Sequence, residues 1–588
     1  MRRLLNASLV GIALCSLLLA RHADAQNAIQ TGAIVVDPPT ICCLGFLVPI
    51  LSGDRNYNAE AQIAYRQQGT TAWQTGLPLM RVRPELSSTE DPPSGYGLPF
   101  PTEGFAGSIF RLAPDTTYEV RITITDPDGG GSEQTVTART RAVPVATPAT
   151  PRQVAVANRA QLTTALSNAM PGDVITLAAG TYAGSLAVSR SGTAQNPIII
   201  RGSSRAGVII DATGSTYGVN IGGSNVSVED LTVQGSEWGA GISNTQGTVI
   251  RRSRFTAINK GIDGSTGTNR NFYICDNVLE GKLVWPNVTP STANTEGITI
   301  GGQGHVVCHN TVSGFGDALG LTHNTAISNI AIDFHNNEVL WTGDDAIEID
   351  FSSRNVRVFE NRISNCGMGV SMQPVWGGPN YVFRNVIANA AHAPYKLNNE
   401  PSGFYILNNT SMRTMGDQAS YGSYAWPQLG YPINGHQAYA ANFQFKNNIV
   451  IGVAAPAQFT TAIMLGVIDN NGWSPDGPFV FDNTTWTSFA DLQSRSPYEA
   501  HGRILSSPLF QTPLSLPADY TTFWTPRDVT LHASSNAVDA GLVIPNITDG
   551  FVGNAPDLGA WERGAPIPIY GARSDTLAPA APTSITLQ

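Results

Sequence analysis

The chain of 588 residues carries a net charge of −10, and only 13% of its residues are charged. An acidic balance without basic clusters excludes nucleic acid as a partner. It also disfavours direct capture of a polyanion unless a cation intervenes.

In chain order, a basic start at Arg2 and Arg3 precedes an apolar run from Leu9 to Ala20 and a small-residue end at Ala23-Asp24-Ala25. This pattern predicts a secretory signal peptide over residues 1–25. The run is too short to span a bilayer, and no later segment is long and apolar enough. The mature protein is therefore expected to be soluble, without a membrane span, secreted to a periplasmic or extracellular location, and monomeric. Beyond the signal lie Cys42, Cys43, Cys275, Cys308 and Cys366. The odd number and the lack of metal-finger spacing make buried free thiols the simplest expectation. Cys275 and Cys308 are candidates for stacked neighbours in the repeat below.

Residues 30–142 alternate in the manner of strands, as in AEAQIAYRQQ and TYEVRITITD. Leu112, Pro114, Thr116 and Tyr118 fall at every second position. This resembles the L-x-P-x-T-x-Y signature of fibronectin type III domains, which implies a β-sandwich with a tyrosine corner. The loop from about Glu85 to Gly107 is longer than such a domain needs. Without a catalytic cluster, the module reads as a spacer or a binding domain. A Pro/Ala/Thr-rich linker covers 143–152.

Leu162, Leu166 and Met170 then share a helical face that ends at Pro171-Gly172, and the strand VITLAAG follows. A short helix leading into strands suits the cap of a stacked-coil protein. The main signal is a repeat aligned on Asp230, Ser253, Asn277, Asn310, Asn337, Asn361, Asn385, Asn409, Asn448 and Asn483, in which the interval of 24 recurs. That unit fits one coil of a right-handed parallel β-helix over 153–565. An amide side chain in each turn can donate to one coil and accept from the next. Phe359, Phe383 and Leu407, two positions before the ladder, are expected to stack inside. The fold class is thus all-β, a β-helix preceded by a sandwich, with residues 566–588 as a disordered tail.

The repeat gives the carboxylates of TGDDAIEIDFSS, residues 342–353, their coordinates. Ile347 and Ile349 should face inward with Leu319, Leu321, Val370 and Met372, so Glu348 and Asp350 should face solvent. The column of Glu348 contains Thr299, Gly320, Ser371 and Lys396, which places Lys396 roughly 10 Å from Glu348. Glu296, Asp317 and Asp345 each precede a strand, and Asp344 is an additional residue in its coil. Such a cluster repels itself unless a cation or protons compensate, and hard oxygen ligands at this density suit calcium. The bland alternatives are solvated surface acids and, for Lys396, a lateral ion pair.

The Asp344-Asp345-x-x-Glu348 arrangement, with Asp317 one coil earlier and Lys396 two coils later, resembles the calcium-dependent pectate lyases of polysaccharide lyase family nine. The resemblance implies Ca2+ held by Asp317, Asp344, Asp345 and Glu348, with Lys396 as the base in β-elimination of an acidic, uronic-acid-containing polysaccharide. Glu348 stands where that family has aspartate. The segment PGDVITLAAGTY also resembles the alginate and chondroitin lyases of family six, which pair lysine with arginine. Arg384 and Arg413 are the candidates for that second role, Arg384 as a catalytic group and Arg413 as a substrate contact. Aromatic rings stack on sugar faces, which makes Trp341, Trp376 and Trp426 candidate substrate contacts. Each could equally cover a turn.

A polygalacturonase-type glycoside hydrolase is the rival, since Gly343-Asp344-Asp345 matches its G-D-D triplet. Against it, the glycine-histidine-glycine and arginine-x-lysine segments of those hydrolases are missing. A uronan C5-epimerase shares the proton abstraction. A non-catalytic carbohydrate-binding surface protein would use the acids as a calcium staple.

Overall fold

The computed structural model describes residues 27–573 apart from 287–294, 323–327, 414–438, 454–455, 460–461 and 517–519. The expected signal peptide, Trp426 and residues 574–588 lie outside the described residues. Among the described residues no helix is long and apolar enough to cross a membrane.

The N-terminal region folds as two antiparallel sheets. One orders Gln30–Thr31, Leu44–Ser52, Gly104–Ile109 and Met80–Val82; the other orders Gln74–Thr75, Glu60–Gln67, Thr117–Thr125 and Ser132–Arg139. Alternate residues of both, including Phe46, Val48, Ile63, Val120 and Ile122, bury into one shared core. Tyr118 folds back over the turn before it, and its hydroxyl accepts the Ala113 N–H at 2.9 Å.

From Arg152 onward the chain winds as a parallel β-helix. One face is a 13-stranded parallel sheet; a 20-stranded sheet makes the remaining faces. A representative coil contributes Val306–Cys308, Thr311–Phe315 and Asp317–Leu321, and the next contributes Asp333–His335, Glu338–Thr342 and Asp345–Glu348. Inside, like stacks on like: Ile274, Val307, Phe334, Val358, Val382 and Ile406 run in register and are fully buried. The cap helix spans Arg159–Ser167, with Asn158 accepting the Gln161 N–H at 3.0 Å. It buries Leu162 and Leu166, but Met170 falls past its end and is exposed.

The ladder is continuous over Asn277, Asn310, Asn337, Asn361, Asn385, Asn409, Asn448 and Asn471. Each Nδ2 donates to the next asparagine's Oδ1 at 3.0 Å, and the last donates to Glu499. Its ends differ from expectation. Asp230 sits one position early, in the left-handed turn (φ 59), and pairs with Arg252. Asn483 lies in a hairpin turn between Phe479–Phe481 and Thr484–Trp486; Asn471 and Glu499 take the place assigned to it.

Phe359, Phe383 and Leu407 do stack, but on the outer side of the 13-stranded sheet. The sandwich covers them: Phe110 lies 5.0 Å from the rings of both Tyr381 and Phe383. Buried Arg357 joins the two parts, pairing with Asp333 at 2.6 Å and donating to Ser108 Oγ at 2.9 Å. Cys275 and Cys308 occupy the same outer column and are joined by a disulfide across adjacent coils, so the expectation of free thiols holds only for Cys42, Cys43 and Cys366. Beyond the last coil strand, Arg503–Ile504, the chain runs back along the turns. Arg573 is bound to Asp276 at 2.6 Å, so contacts continue past residue 565, the expected end of the β-helix.

Candidate functional site

The strand Asp345–Glu348 pairs in parallel with Asp317–Leu321 on one side and Arg362–Ser371 on the other. The inward column reads Leu319, Ile347, Val370 and Tyr395; the outward one reads Gly320, Glu348, Ser371 and Lys396. Apolar residues fix the register because a shift by one position would expose them. That fixed register is what brings Lys396, at the end of the strand Val386–Lys396, onto the acidic face.

Lys396 is 7% exposed and donates from Nζ to Asp345 Oδ2 at 2.8 Å. Asp317 Oδ1 accepts the Asp345 N–H at 3.0 Å. Oxygens of Asp317, Asp344 and Asp345 lie within 4.8 Å of one another, and so do oxygens of Asp345, Glu348 and Asp350. Asp345 thus belongs to both groups. Glycine at 320 leaves room for the neighbouring coil, since a Cβ there would stand 3.3 Å from Glu348 Oε2.

Asp350 departs from expectation. It is 2% exposed, and its Oδ1 accepts from Ser371 Oγ at 2.7 Å and from Gln373 N–H at 2.5 Å. Strand alternation does turn it away from the core, but the next coil and the sandwich loop roof it over. Glu296 stays outside the cluster, paired with Lys260 at 3.1 Å.

Burial pushes the carboxyls of Asp317 and Glu348 well above the usual range, and neighbouring carboxylates add to it. Burial likewise raises Asp345 to about 7 against the opposing pull of Lys396, and raises Asp350. For Lys396 burial favours the neutral amine, but Asp345, Asp344, Asp350 and Glu348 outweigh it and hold the ammonium well above its ordinary value. One lysine therefore faces five carboxyl groups. Asp345 Oδ1 is buried and has no hydrogen-bond partner among the described residues. An all-oxygen set with an unsatisfied oxygen at its centre fits a hard divalent cation.

The other candidates lie elsewhere. Arg384 sits in the turn before its strand and donates to Ile547 O at 3.1 Å and Ala560 O at 3.2 Å. Its guanidinium anchors the C-terminal segment, at the opposite end of the strand from Lys396, and does not join the cluster. Trp376 is buried under the sandwich loop, its Nε1 donating to Asp91 O at 2.9 Å, so it covers a turn and presents no ring to a sugar. Trp341 donates to Leu283 O at 3.2 Å and packs on Phe523. Arg413 ends the strand Thr410–Arg413, paired at Ala390 and away from the acids.

Among solved structures, the chain is similar to the PL6 family alginate lyase AlyGC at 17% identity and TM-score 0.37, over 55% of this chain and 48% of that one. It thus spans about half of that protein. It is also similar to the PL6 family polysaccharide lyase Pedsa3628 from Pseudopedobacter saltans (12%, TM-score 0.39, 60% and 91%). A third is the Yersinia enterocolitica Family 28 exopolygalacturonase (12%, TM-score 0.35, 81% and 99%). No curated protein sequence matches. The family model described as Chondroitinase B matches residues 156–242, the cap helix and the first coils, and ends before the carboxylate cluster begins.

Proposed function

We propose that this protein is a secreted polysaccharide lyase that cleaves a uronic-acid-containing chain by calcium-assisted β-elimination. One observation carries the reading: Lys396 lies 2.8 Å from Asp345 within a cluster of carboxyls on the outer face of a β-helix. The match to Chondroitinase B over 156–242 supports a lyase. The Cys275–Cys308 bridge suits an oxidising compartment and hence export, and the Tyr118 corner supports a fibronectin type III-like sandwich.

Asp317, Asp344, Asp345 and Glu348, with Asp350 beside them, would hold the ion, which when bound supplies Lewis-acid stabilisation of the uronate carboxylate as charge develops on it. The chain's own groups do the rest. Lys396, with its amine 2.8 Å from Asp345 Oδ2, is the group assigned to take the proton at C5 of the sugar. It holds a proton while the surrounding carboxylates are uncompensated. Once their charge is balanced, burial favours the neutral amine, the form a base requires. Loss of the C5 proton with departure of the C4 oxygen leaves an unsaturated sugar. The C4 oxygen needs a proton as it leaves, and Lys396, protonated once it has taken the C5 proton, is the local group that can return it.

Pectate, alginate and glycosaminoglycans, assayed with calcium and with chelator, test this by the ultraviolet absorbance of the unsaturated product. Wild type with calcium should produce it on one of them. Lys396→Ala and chelator should each reduce the rate by about a hundredfold or more, the scale of a lost proton-transfer group. Full activity in both would end the proposal. Hydrolysis is the second reading, because a carboxyl titrating at about 7 at Asp345 is what a general acid needs near neutrality. New reducing ends without absorbance would select it.

A further inference from the structure

The sandwich loop between Met80–Val82 and Gly104–Ile109 leaves its own domain and lies on the β-helix beside the carboxylates. Its anchors fall on Asn399 and Glu400, in the turn after a site strand, and on Trp376, which opens the strand Trp376–Phe383. Thr89 donates from N and Oγ1 to Glu400 Oε2 at 2.6 and 2.7 Å, and Asn399 Nδ2 donates to Asp91 Oδ2. Glu400 and Asn399 are in the turn after Lys396. Asp91 O also accepts from Trp376 Nε1 at 2.9 Å, in the coil between Glu348 and Lys396.

On this base stands Tyr96. Its hydroxyl donates to Asp91 Oδ1 at 2.9 Å, and its ring lies 4.8 Å from Phe351 and 5.7 Å from Trp376. Phe351 directly follows Asp350 and is held at φ 58, a left-handed conformation rarely adopted by a bulky side chain. Its N–H donates to Pro374 O at 2.7 Å. Trp376 is covered, whereas Tyr96 and Phe351 are half-buried. With its hydroxyl committed to Asp91, Tyr96 offers a ring face and no polar tip.

We propose that Tyr96 and Phe351 form a stacking subsite for the pyranose ring adjoining the uronate at the carboxylate cluster, so that the N-terminal domain completes the substrate groove. The inference rests on the polysaccharide reading above. Two aromatic rings tilted by 52° to each other beside a carboxylate-lined centre suit a sugar, which has an apolar face and a polar rim. It would grip an acidic chain without adding charge.

The test compares Tyr96→Leu, which keeps an apolar cover over Trp376 but removes the flat ring, with Tyr96→Phe, which keeps the ring. On the polysaccharide that wild type cleaves, Tyr96→Leu should raise KM about tenfold with kcat within about twofold, and Tyr96→Phe should stay within about twofold of wild type in both. Gel retardation on pectate, alginate and chondroitin sulfate gives a readout independent of turnover, in which Tyr96→Leu should lose retardation that Tyr96→Phe keeps. A Tyr96→Leu protein with wild-type KM and retardation, or with lowered kcat alone, overturns the subsite and leaves the lyase reading standing. Retardation lost in Tyr96→Leu, on a wild type that forms no unsaturated product, leaves the subsite standing and removes the lyase. A wild type retarded by none of the three overturns the subsite.

Discussion

Asp345 is the residue on which both carboxylate groups converge, with one oxygen held by Lys396 and the other unsatisfied. Its energetics make a test that does not depend on catalysis. Binding of a cation only to the folded state raises stability by about 2.7 kcal/mol at a hundredfold excess over Kd, a rise of about 2 °C in the thermal midpoint if the whole chain unfolds together. Wild type should show that rise with calcium in a melting experiment, and Asp345→Asn should not. The amide keeps an oxygen for Lys396 but removes charge, so the variant without calcium should melt no lower than wild type. An undiminished calcium shift in Asp345→Asn would show the ion binding elsewhere. At this scale the column of Lys396 with Glu348 was legible, because strand alternation and the recurring coil length of 24 determine it together. The burial of Asp350 was not, because the groups that roof it come from remote parts of the chain. Arg384 and Trp376 were misjudged for the same reason: their partners are Ile547, Ala560 and Asp91, which no local pattern connects to them.

The asparagine ladder operates at the level of the coil. Asn361 accepts from Asn337 N at 3.0 Å and Nδ2 at 3.0 Å, and donates to Phe334 O at 2.9 Å and Asn385 Oδ1 at 3.0 Å. Asn361→Ala strands buried donors of the coil before it and should cost about 3 kcal/mol, since each unsatisfied buried group costs roughly 1–3 kcal/mol. Chemical denaturation measures this; a loss below about 0.5 kcal/mol, the size of an ordinary surface substitution, would count against the ladder as a stabilising device. The ladder could be read because its interval is set by coil closure and its residue type by hydrogen-bonding capacity. Its ends could not. Near Asp230 the turn offers two adjacent positions, and only the backbone separates the left-handed one from the ladder one. The stacked Phe359, Phe383 and Leu407 show the matching limit for apolar columns. Periodicity identifies a buried column, but an outer face roofed by another domain is buried too.

Taken whole, the molecule is a β-helix clasped on two flanks. Phe110 is the centre of the first clasp, buried against Tyr381 and Phe383. Phe110→Ala should cost about 3–5 kcal/mol if the two parts unfold together. If docking is lost first, the same change should accelerate limited proteolysis between the sandwich strand Ser132–Arg139 and the first coil strand, Arg152–Val156. Equal proteolysis rates and equal stability in variant and wild type would refute a docked arrangement. Sequence patterns anticipated the β-helix and the strand-rich character of the N-terminal part, but the contact between them depends on two outer surfaces meeting, and neither surface carries a periodic signature.

The second clasp has a temporal meaning. Arg573 reaches back to Asp276, so a segment made after the last coil strand seals the flank of coils that left the ribosome 297 residues earlier. Until then the growing solenoid presents that strip of turns bare to whatever surrounds it. A product cut short before this return would carry the strip permanently uncovered.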